Sequence, residues 1–302
     1  MREDPPKAQD GFEGIRSAAS TIPNQGEDLL AKIEVPSDLD DVLNSAWEAA
    51  QKVPGHLFED EARFLGTVVA CAPSTGAIVE IGSFKGKSTV MIAKVAKHYG
   101  LGPIVAIDPH NSPKLLDTHA DPAASSYQDF LNNLEAAGVS DRVEPLRAYS
   151  TEVFRTWNRP IRILWIDGDH SYAGTKTDFD GFLPYLNSDG VLVFHDVLAM
   201  FPGPIRVFSE DVLRSNQFGA AGFVRSIGWS QFRPEDGCKF QKQRASIERA
   251  AGRLSSLVAH LGNGSGLHGL AYARFRLNRF LISSPPIRPD NWVSLLDPPA
   301  QS

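Results

Sequence analysis

Two short polar segments hold most of the side chains in this sequence that could do chemistry. Ile166-Asp-Gly-Asp-His-Ser-Tyr172 follows one apolar run, and Phe194-His-Asp196 follows another. Gathering Asp167, Asp169 and His170 directly after a buried strand costs free energy unless these side chains bind something. If the two apolar runs are neighbouring strands, both segments converge on one edge of a sheet. Such a set of carboxylates and imidazoles can hold a divalent cation or move a proton.

A third polar segment lies earlier, where an apolar run passes into a helical pattern. It reads Glu80-Ile-Gly-Ser-Phe-Lys-Gly-Lys-Ser-Thr89. Gly82 and Gly86 would let the backbone pass close to a ligand at the carboxyl edge of a parallel sheet. Their spacing matches neither the G-x-G-x-x-G dinucleotide turn nor the G-x-x-x-x-G-K-[ST] phosphate loop. A tight turn without a ligand is the alternative interpretation.

Two further polar residues follow the next two apolar runs. Asp108 lies 26 residues after Gly82, where a carboxylate can bond both hydroxyls of a ribose. Ser150 follows the third run, in the loop where an adenine edge would lie. Each residue can also act as a plain cap of a turn or helix.

The elements that position these residues follow from apolar runs that alternate with amphipathic stretches, as a parallel sheet covered on both faces requires. Strands are predicted at residues 77–81, 103–107, 142–146, 161–166 and 190–194. Helices are predicted between them at residues 88–98, 127–137, 151–157 and 175–186. Then come a helix at 205–215 and two runs at 222–226 and 229–232 that can form an antiparallel hairpin. The pattern predicts an α/β fold with a doubly wound, mostly parallel seven-stranded sheet.

Composition limits the classes of function. The net charge is −6, and because residues 239–281 hold eight basic residues and one acid (+7), the remainder carries −13. An acidic body argues against nucleic acid as a partner. Cys71 and Cys238 are too few and too far apart for a disulfide framework or a zinc ribbon. Since the sequence predicts neither a secretory signal nor a transmembrane helix, a cytoplasmic protein is expected.

Together these motifs resemble those of the class I S-adenosyl-L-methionine (SAM) dependent methyltransferases. The matching residues are 80–89, Asp108, 166–172 and 190–196, and the resemblance spans roughly residues 54–232. Within the class, the sequence is most similar to the branch that includes macrocin-type sugar O-methyltransferases and cephalosporin-hydroxylase-like proteins. The resemblance implies a Rossmann-like methyltransferase fold.

The resemblance also implies how SAM is bound. Glu80, Gly82 and Ser83 would face the methionine and ribose, while Asp108 would bind the ribose hydroxyls and Ser150 would lie beside the adenine. The complete set of expected cofactor-binding residues is Glu80, Gly82, Ser83, Gly86, Ser88, Asp108, Ser150 and Asp167.

In metal-dependent relatives, the resemblance implies a magnesium site. Its ligands would correspond to Asp167, His195 and Asp196, and an aspartate that matches Asp169 would be the general base. His195 departs from this pattern, because magnesium prefers oxygen ligands whereas imidazole suits manganese, iron or zinc. Whether magnesium or another divalent metal joins SAM as a cofactor therefore stays open. Asp169, His170 and His195 are the candidate catalytic residues for removing a proton.

The expected reaction is the transfer of a methyl group from SAM to a hydroxyl of a sugar or of a glycosylated small molecule. The expected partner is thus a small-molecule or glycan acceptor and not a nucleic acid, and a homo-oligomer stays open. Two other classes also stay open. A non-catalytic SAM-binding or scaffold protein would keep the same pocket. An NAD-dependent oxidoreductase would share the fold, but the dinucleotide turn is missing.

Four parts are expected along the chain: a flexible leader (1–36), N-terminal helices (37–76), a SAM-binding methyltransferase domain (77–238) and a basic helical arm with a Pro-rich tail (239–302). In the arm, arginines at positions 274, 276 and 279 are interleaved with apolar residues, a mix typical of helices that lie on membranes. A tether to an anionic membrane, a helix packed on the domain and a dimer contact are the alternatives. The first would make the protein membrane-associated.

Overall fold

A seven-stranded sheet forms the centre of the part of the chain that the computed structural model describes, residues 34–111, 125–261 and 266–298. Its strands are β1 (Ala77–Ile81), β2 (Ile104–Ile107), β3 (Val143–Leu146), β4 (Ile161–Ile166), β5 (Leu186–Phe194), β6 (Phe218–Val224) and β7 (Ile227–Phe232). They lie in the order β3-β2-β1-β4-β5-β7-β6. Strands β1 to β5 are parallel, whereas β7 is antiparallel to β5 and β6. The predicted doubly wound sheet with a closing hairpin is confirmed.

The strand order reverses between β1 and β4. From β1 the chain builds outward through β2 and β3, and it then returns to place β4 on the other side of β1. Open α/β sheets bind ligands in the crevice at such a reversal, outside the carboxyl ends of the strands. The predicted site residues follow these ends, with Gly82 after β1, Asp108 after β2, Asp167 after β4 and His195 after β5.

Ten α-helices lie in the described residues. They are α1 (Leu39–Ala50), α2 (Glu59–Cys71), α3 (Lys87–His98), α4 (Tyr127–Ala136), α5 (Ser150–Val153), α6 (Tyr172–Phe182), α7 (Pro202–Val207), α8 (Gln241–Val258), α9 (Gly269–Phe280) and α10 (Pro289–Leu296). A π-helical turn, Phe208–Val212, continues α7. Within these ranges, no helix combines the length and the apolar composition needed to cross a membrane. The predicted leader, apart from residues 34–36, lies outside the described residues.

Two hydrophobic cores cover the two faces of the sheet. Ile78 of β1 belongs to the core that contains α1, α2 and α3, whereas its neighbour Val79 belongs to the core that contains α6, α7 and α8. This division follows from the strand geometry, because successive side chains point to opposite faces. Every residue of β1 and β4 is buried, so the central strands are a firm support for the side chains that follow them.

Strand β5 starts earlier than its sequence predicts. It begins at Leu186, where it pairs with Ile161 of β4, and a register shift follows in β4 between Ile161 and Ile163. Residues 187–190 (Asn-Ser-Asp-Gly) have the composition of a turn, so the pattern predicts a strand only from residue 190. Pairing with β4 therefore outweighs the weak preference of these residues for a turn.

Helix α10 lies in the segment that the sequence predicts as a Pro-rich tail. Residues 285–299 are rich in proline, but Pro289 occupies the first position of the helix, where its missing N–H costs nothing. Trp292 is fully buried and its ring packs against the rings of Phe64, 6.0 Å away, and Trp229, 5.8 Å away. The end of the described chain is therefore part of the core under α2.

We expect Trp292→Ala to lower the free energy of unfolding by about 3 to 5 kcal/mol, as large-to-small substitutions of buried aromatic residues do. The reason is the loss of the aromatic contacts with Phe64 and Trp229. Urea unfolding followed by circular dichroism measures the change, and Trp292→Phe, which keeps a ring, should lose clearly less. A loss below about 1 kcal/mol for Trp292→Ala would show that α10 is not anchored through this side chain.

Candidate active site

The carboxyl ends of β1, β4 and β5 meet at one point of the sheet edge. Ile166, the last residue of β4, pairs with Ile81 on one side and with Phe194 on the other. The backbone N–H of Asp167 donates to the carbonyl of Ile81 at 2.8 Å, and that of His195 donates to the carbonyl of Ile166 at 3.0 Å. The two polar segments that follow β4 and β5 are thereby held side by side, as the sequence predicts.

The turn after β1 brings its backbone close to the segment after β4. Gly82 has a φ of +87°, and a Cβ atom built on it would lie 2.1 Å from the carbonyl oxygen of Asp167. Only glycine fits there. The next residue, Ser83, is buried, and its hydroxyl has no hydrogen-bond partner among the described residues. A buried hydroxyl without a partner next to a close backbone approach is a group that a ligand can satisfy.

Glu80 and Ser88 face each other inside the protein. Glu80 is fully buried, and its carboxylate accepts hydrogen bonds from the hydroxyls of Ser88 and, at 2.5 Å, of Thr89. Burial raises the pKa of Glu80 to about 7, although the hydrogen bonds from these hydroxyls oppose the shift. Both carboxylate oxygens are therefore engaged at the start of α3. In the structure these side chains support the turn that Gly82 and Ser83 form.

The raised pKa of Glu80 predicts a loss of stability as the pH rises from about 4.5 to neutral. A carboxyl group whose pKa is higher in the folded state stabilises the protein fully below its unfolded value of 4.5, and that contribution disappears as the pH rises through about 7. At about 1.4 kcal/mol per pKa unit, the loss is on the order of 3 kcal/mol. Urea unfolding at a series of pH values should show this decline, and Glu80→Gln should flatten it.

The stability of Glu80→Gln should still decline somewhat as the pH rises. The pKa values of His170 and His195 are also raised, and a histidine with a raised pKa likewise loses its stabilising contribution as the pH rises. If the curves for wild type and Glu80→Gln ran parallel between pH 5 and about 9, Glu80 would not be the group that titrates.

Asp108 supports two turns with one carboxylate. It accepts the backbone N–H of Phe84 at 2.8 Å and that of His110 at 2.6 Å, one with each oxygen. Both partners have left-handed backbones, with φ values of 45° and 53°. The side chain of Asp108 is still 16% exposed, and each carboxylate oxygen has a second lone pair. Asp108 can thus hold the loops of a ribose pocket and still accept from a ligand.

Ser150 lies at the first position of α5, and its hydroxyl is already engaged. It donates to the carboxylate of Asp178 in α6 at 2.5 Å. Burial raises the pKa of Asp178 to about 6, with the Ser150 hydrogen bond opposing the shift. Next to Ser150, the ring of Tyr149 is 53% exposed. A ligand at this loop would therefore meet the Tyr149 ring and the backbone more readily than the Ser150 hydroxyl.

Three side chains form a cluster that could hold a metal ion: Asp167, His170 and Asp196, each with one ligand atom within 4.8 Å of the others. Nε2 of His170 lies 3.4 Å from Oδ1 of Asp167 and 3.8 Å from Oδ2 of Asp196. All three are partly exposed, and the ring of His170 stacks on that of Phe201 at 4.4 Å. Two carboxylates and one imidazole suit manganese, iron or zinc better than magnesium.

His195, the third ligand expected from the sequence, is buried beside this cluster. Its Nδ1 lies 3.2 Å from Oδ1 of Asp167, and its Nε2 lies 3.5 Å from Oε2 of Glu61 in α2. Burial opposes a charge on the ring, but the two carboxylates outweigh it and raise the pKa of His195 well above its ordinary value. The two carboxylates thus favour the protonated form of the ring. The role of His195 as a metal ligand stays a prediction. The cluster described above contains His170 as its histidine.

Asp167 is the common neighbour of His170 and His195. Burial by itself would raise its pKa, but the charge of His195 and hydrogen bonds from His170 and His195 lower it to about 2. Asp167 is consequently ionised at every physiological pH. Its carboxylate faces both histidines, so removing it would affect the whole cluster.

Glu61 is a site residue that the motifs do not reveal. It is fully buried and accepts hydrogen bonds from the backbone N–H of Phe58 and from both the N–H and the hydroxyl of Ser226. It lies on α2, 134 residues before its partner His195. One signal could have found it, because Glu61 shares the apolar face of α2 with Leu65 and Val68 at helical spacing.

Asp169, the predicted general base, lies on the outer side of this edge. It is exposed, and its carboxylate accepts hydrogen bonds from the backbone N–H and the hydroxyl of Ser171. Ser171 in turn caps α6 by accepting from the N–H of Gly174. The described geometry gives Asp169 a role at the start of α6, and its catalytic role stays a prediction.

Comparisons with known proteins agree with the fold and the motifs. Residues 79–197 match a family model described as a methyltransferase domain. The mimivirus protein "Uncharacterized protein R132" from Acanthamoeba polyphaga mimivirus is 28% identical over 124 residues, which are 39% of this chain and 50% of that protein. The match with this curated relative thus spans about half of its length.

Two solved structures are O-methyltransferases by their own descriptions. NovP is 13% identical, with a TM-score of 0.51, and the comparison covers 65% of this chain and 98% of that chain. The enzyme from Bacillus cereus, solved in complex with SAH, is 21% identical, with a TM-score of 0.43, and the comparison covers 67% of this chain and 93% of that chain. The likeness to NovP supports the fold.

The matched family segment runs from β1 to just beyond β5, so it contains the glycine turn, Asp108 and the cluster around Asp167. The mostly parallel seven-stranded sheet and its antiparallel closing hairpin agree with the resemblance of the motifs. Residues 79–197 thus match a methyltransferase domain, and the fold of the chain is that of the class I SAM-dependent methyltransferases.

Proposed function

We propose that this chain is a SAM-dependent O-methyltransferase that acts on a hydroxyl of a small molecule of the sugar class. The observation that carries the proposal is the meeting of two sets of groups at one sheet edge. One is the glycine turn with the unpartnered hydroxyl of Ser83, and the other is the cluster of Asp167, His170 and Asp196. The sugar class of acceptor rests on the resemblance of the motifs to macrocin-type O-methyltransferases.

On the cofactor side, the residues that follow β1 and β2 would hold SAM. Gly82 leaves room for its methionine part, which would give the hydroxyl of Ser83 a partner. Each carboxylate oxygen of Asp108 already accepts one N–H, from Phe84 or His110, and its second lone pair would accept a ribose hydroxyl. The ring of Tyr149, exposed at the start of α5, would contact the adenine.

On the acceptor side, the protein must orient a hydroxyl and remove its proton, because the sulfonium of SAM is already an activated donor. His170 is partly exposed and its Nε2 lies 3.4 Å from Oδ1 of Asp167, so the imidazole of His170 is the group that receives the proton and Asp167 holds it in place. His195 cannot approach a substrate, since it is buried between Glu61 and Asp167. Its task is to hold the carboxylate of Asp167 in place.

A divalent metal fits the cluster. Asp167, His170 and Asp196 would hold it, and when bound it would lower the pKa of an acceptor hydroxyl. The mixed oxygen and nitrogen donors favour manganese, iron or zinc over magnesium. Without a metal, the proton-transfer roles of His170 and Asp167 given above would remain.

Calorimetric titration with SAM and with NAD tests the proposal first. Heat with SAM and none with NAD is expected, whereas binding of NAD alone would support an oxidoreductase and overturn the proposal. Transfer of labelled methyl groups from SAM to a panel of sugar and glycoside hydroxyls comes second. SAM binding without transfer to any member of a broad panel would favour the scaffold alternative.

A further inference from the structure

Helix α9 carries most of the exposed apolar surface in the described residues. Of the eight large apolar side chains that are exposed there, five lie between residues 270 and 281. The four most exposed of these are Leu270 (78%), Leu277 (60%), Phe280 (84%) and Leu281 (67%). Isolated exposed leucines need no explanation, but a contiguous set on one element marks an interaction surface.

The exposed residues form one stripe along the helix. Leu270, Leu277 and Leu281 recur at spacings of seven and four residues, which places them on one face of a helix with 3.6 residues per turn. Arg274 borders this stripe on one side, and Arg276 borders it beyond Phe280 on the other. An exposed apolar stripe between two arginines is the pattern of a helix that lies in the plane of a lipid surface.

The opposite face of α9 attaches the helix to the domain. Phe275 is only 4% exposed and belongs to the core on the α6 side of the sheet. The guanidinium of Arg279 donates to the backbone carbonyl of Arg225 at 2.8 Å. Because the helix already packs through Phe275, the stripe is not the side by which it joins its own domain.

Charge decides between the candidate occupants of the stripe, which are a lipid surface and a second copy of the chain. No acidic residue occurs from residue 266 to residue 289, while arginines stand at positions 274, 276, 279 and 288. A symmetric contact between two copies brings the same patch against itself, so Arg274 and Arg276 would face like charges. Anionic headgroups instead complement the arginines, and acyl chains accept the leucines.

We propose that α9 docks this protein on an anionic lipid surface, with Leu270, Leu277, Phe280 and Leu281 entering the lipid and with Arg274 and Arg276 paired to the headgroups. The surface connects to the candidate site through Arg225, which stacks on the ring of Phe58 at 4.3 Å. The N–H of Phe58 donates to Glu61. A series of contacts therefore leads from Arg279 of α9 through Arg225 and Phe58 to Glu61, the partner of His195.

Co-sedimentation of the full-length protein with vesicles tests this proposal. The protein should bind vesicles of phosphatidylcholine with phosphatidylglycerol, more weakly as salt is raised, and should bind pure phosphatidylcholine far less. Arg274→Gln with Arg276→Gln should weaken binding roughly 30-fold, about fivefold for each charge lost near the leaflet. Leu277→Asn with Phe280→Asn should weaken it at least about tenfold, since both side chains leave the lipid.

A matched control is Arg249→Gln with Arg253→Gln, which removes the same charge from exposed positions of α8. It should leave binding within about threefold, because the lost charges lie outside the stripe. An equal loss in this control, or no binding to anionic vesicles at low salt, would overturn the proposal. Analytical ultracentrifugation tests the alternative of a second copy. If the protein self-associates without binding vesicles, and if Leu277→Asn with Phe280→Asn abolishes the self-association, the stripe binds a second copy of the chain.

Discussion

Asp108→Ala is expected to weaken SAM binding on the order of 100-fold or more. Each hydrogen bond from a ribose hydroxyl to an ionised carboxylate contributes about 1.5 to 3 kcal/mol, and Asp108 can accept two. The substitution also removes the partner of the N–H groups of Phe84 and His110, so the loops around the ribose lose their support. Titration calorimetry with SAM measures the change, and circular dichroism verifies that the variant is folded.

Two comparison variants make this result specific. Asp129→Ala removes another nearby carboxylate, one on α4 that is 54% exposed and paired with Lys85, and it should leave SAM affinity within about twofold. Asp108→Asn keeps the size of the side chain and one acceptor oxygen, so an intermediate loss is expected. Unchanged SAM affinity in Asp108→Ala would exclude Asp108 from the cofactor site.

Asp167→Ala is expected to lower kcat for methyl transfer on the order of 1,000-fold or more. Its carboxylate is the shared neighbour of His170 and His195 and one of the three groups in the candidate metal cluster. Misplacing the proton acceptor His170 can cost as much as a positioned general base contributes, which is about 100- to 10,000-fold. Rates at saturating SAM, measured with an acceptor found in the hydroxyl panel, test this, and SAM affinity measured in parallel separates binding from chemistry.

The comparison with Asp169→Ala decides whether the proton passes to Asp169 or to His170, which Asp167 positions. Asp169 is exposed and bonded to Ser171, so the geometry predicts a loss of less than about tenfold. A loss as large as that of Asp167→Ala would instead make Asp169 the base, as the resemblance implies. A kcat in Asp167→Ala within about tenfold of wild type would remove Asp167 from the reaction.

Metal removal tests the cluster by a separate route. Activity lost in EDTA and restored by manganese would support a metal held by Asp167, His170 and Asp196. Full activity after exhaustive EDTA treatment would exclude a required metal and leave proton transfer as the task of these side chains.

The sequence by itself determined the sheet and the edge at which chemistry takes place. Strands covered on both faces must be apolar throughout, and the helices between them must be amphipathic. The alternation of strands and helices can therefore be recognised in the sequence alone. Because the carboxyl ends of parallel strands meet at one edge, residues that follow β1, β2, β4 and β5 had to converge there. Gly82, Asp108, Asp167 and His195 could therefore be selected from position alone.

Only the tertiary structure decided what each of these side chains contacts. Glu61 reaches His195 from 134 residues away, and no local pattern records a contact between an N-terminal helix and the end of β5. Both His170 and His195 lie near Asp167 and Asp196, but His195 is buried with its Nε2 facing Glu61, whereas His170 is partly exposed. The carboxylate of Glu80 accepts hydrogen bonds from Ser88 and Thr89 at the start of α3, and its contact with the cofactor stays a prediction.

The same holds for the C-terminal region. Its composition shows that α9 is basic and apolar, but only packing shows that Phe275 faces the core while Leu277 and Phe280 face solvent. Trp292 fills a space between Phe64 and Trp229 that arises once α2 and β7 are in place. Periodicity reports which face of an element is apolar, whereas the partner of that face depends on how distant segments pack, and that information is not local in the sequence.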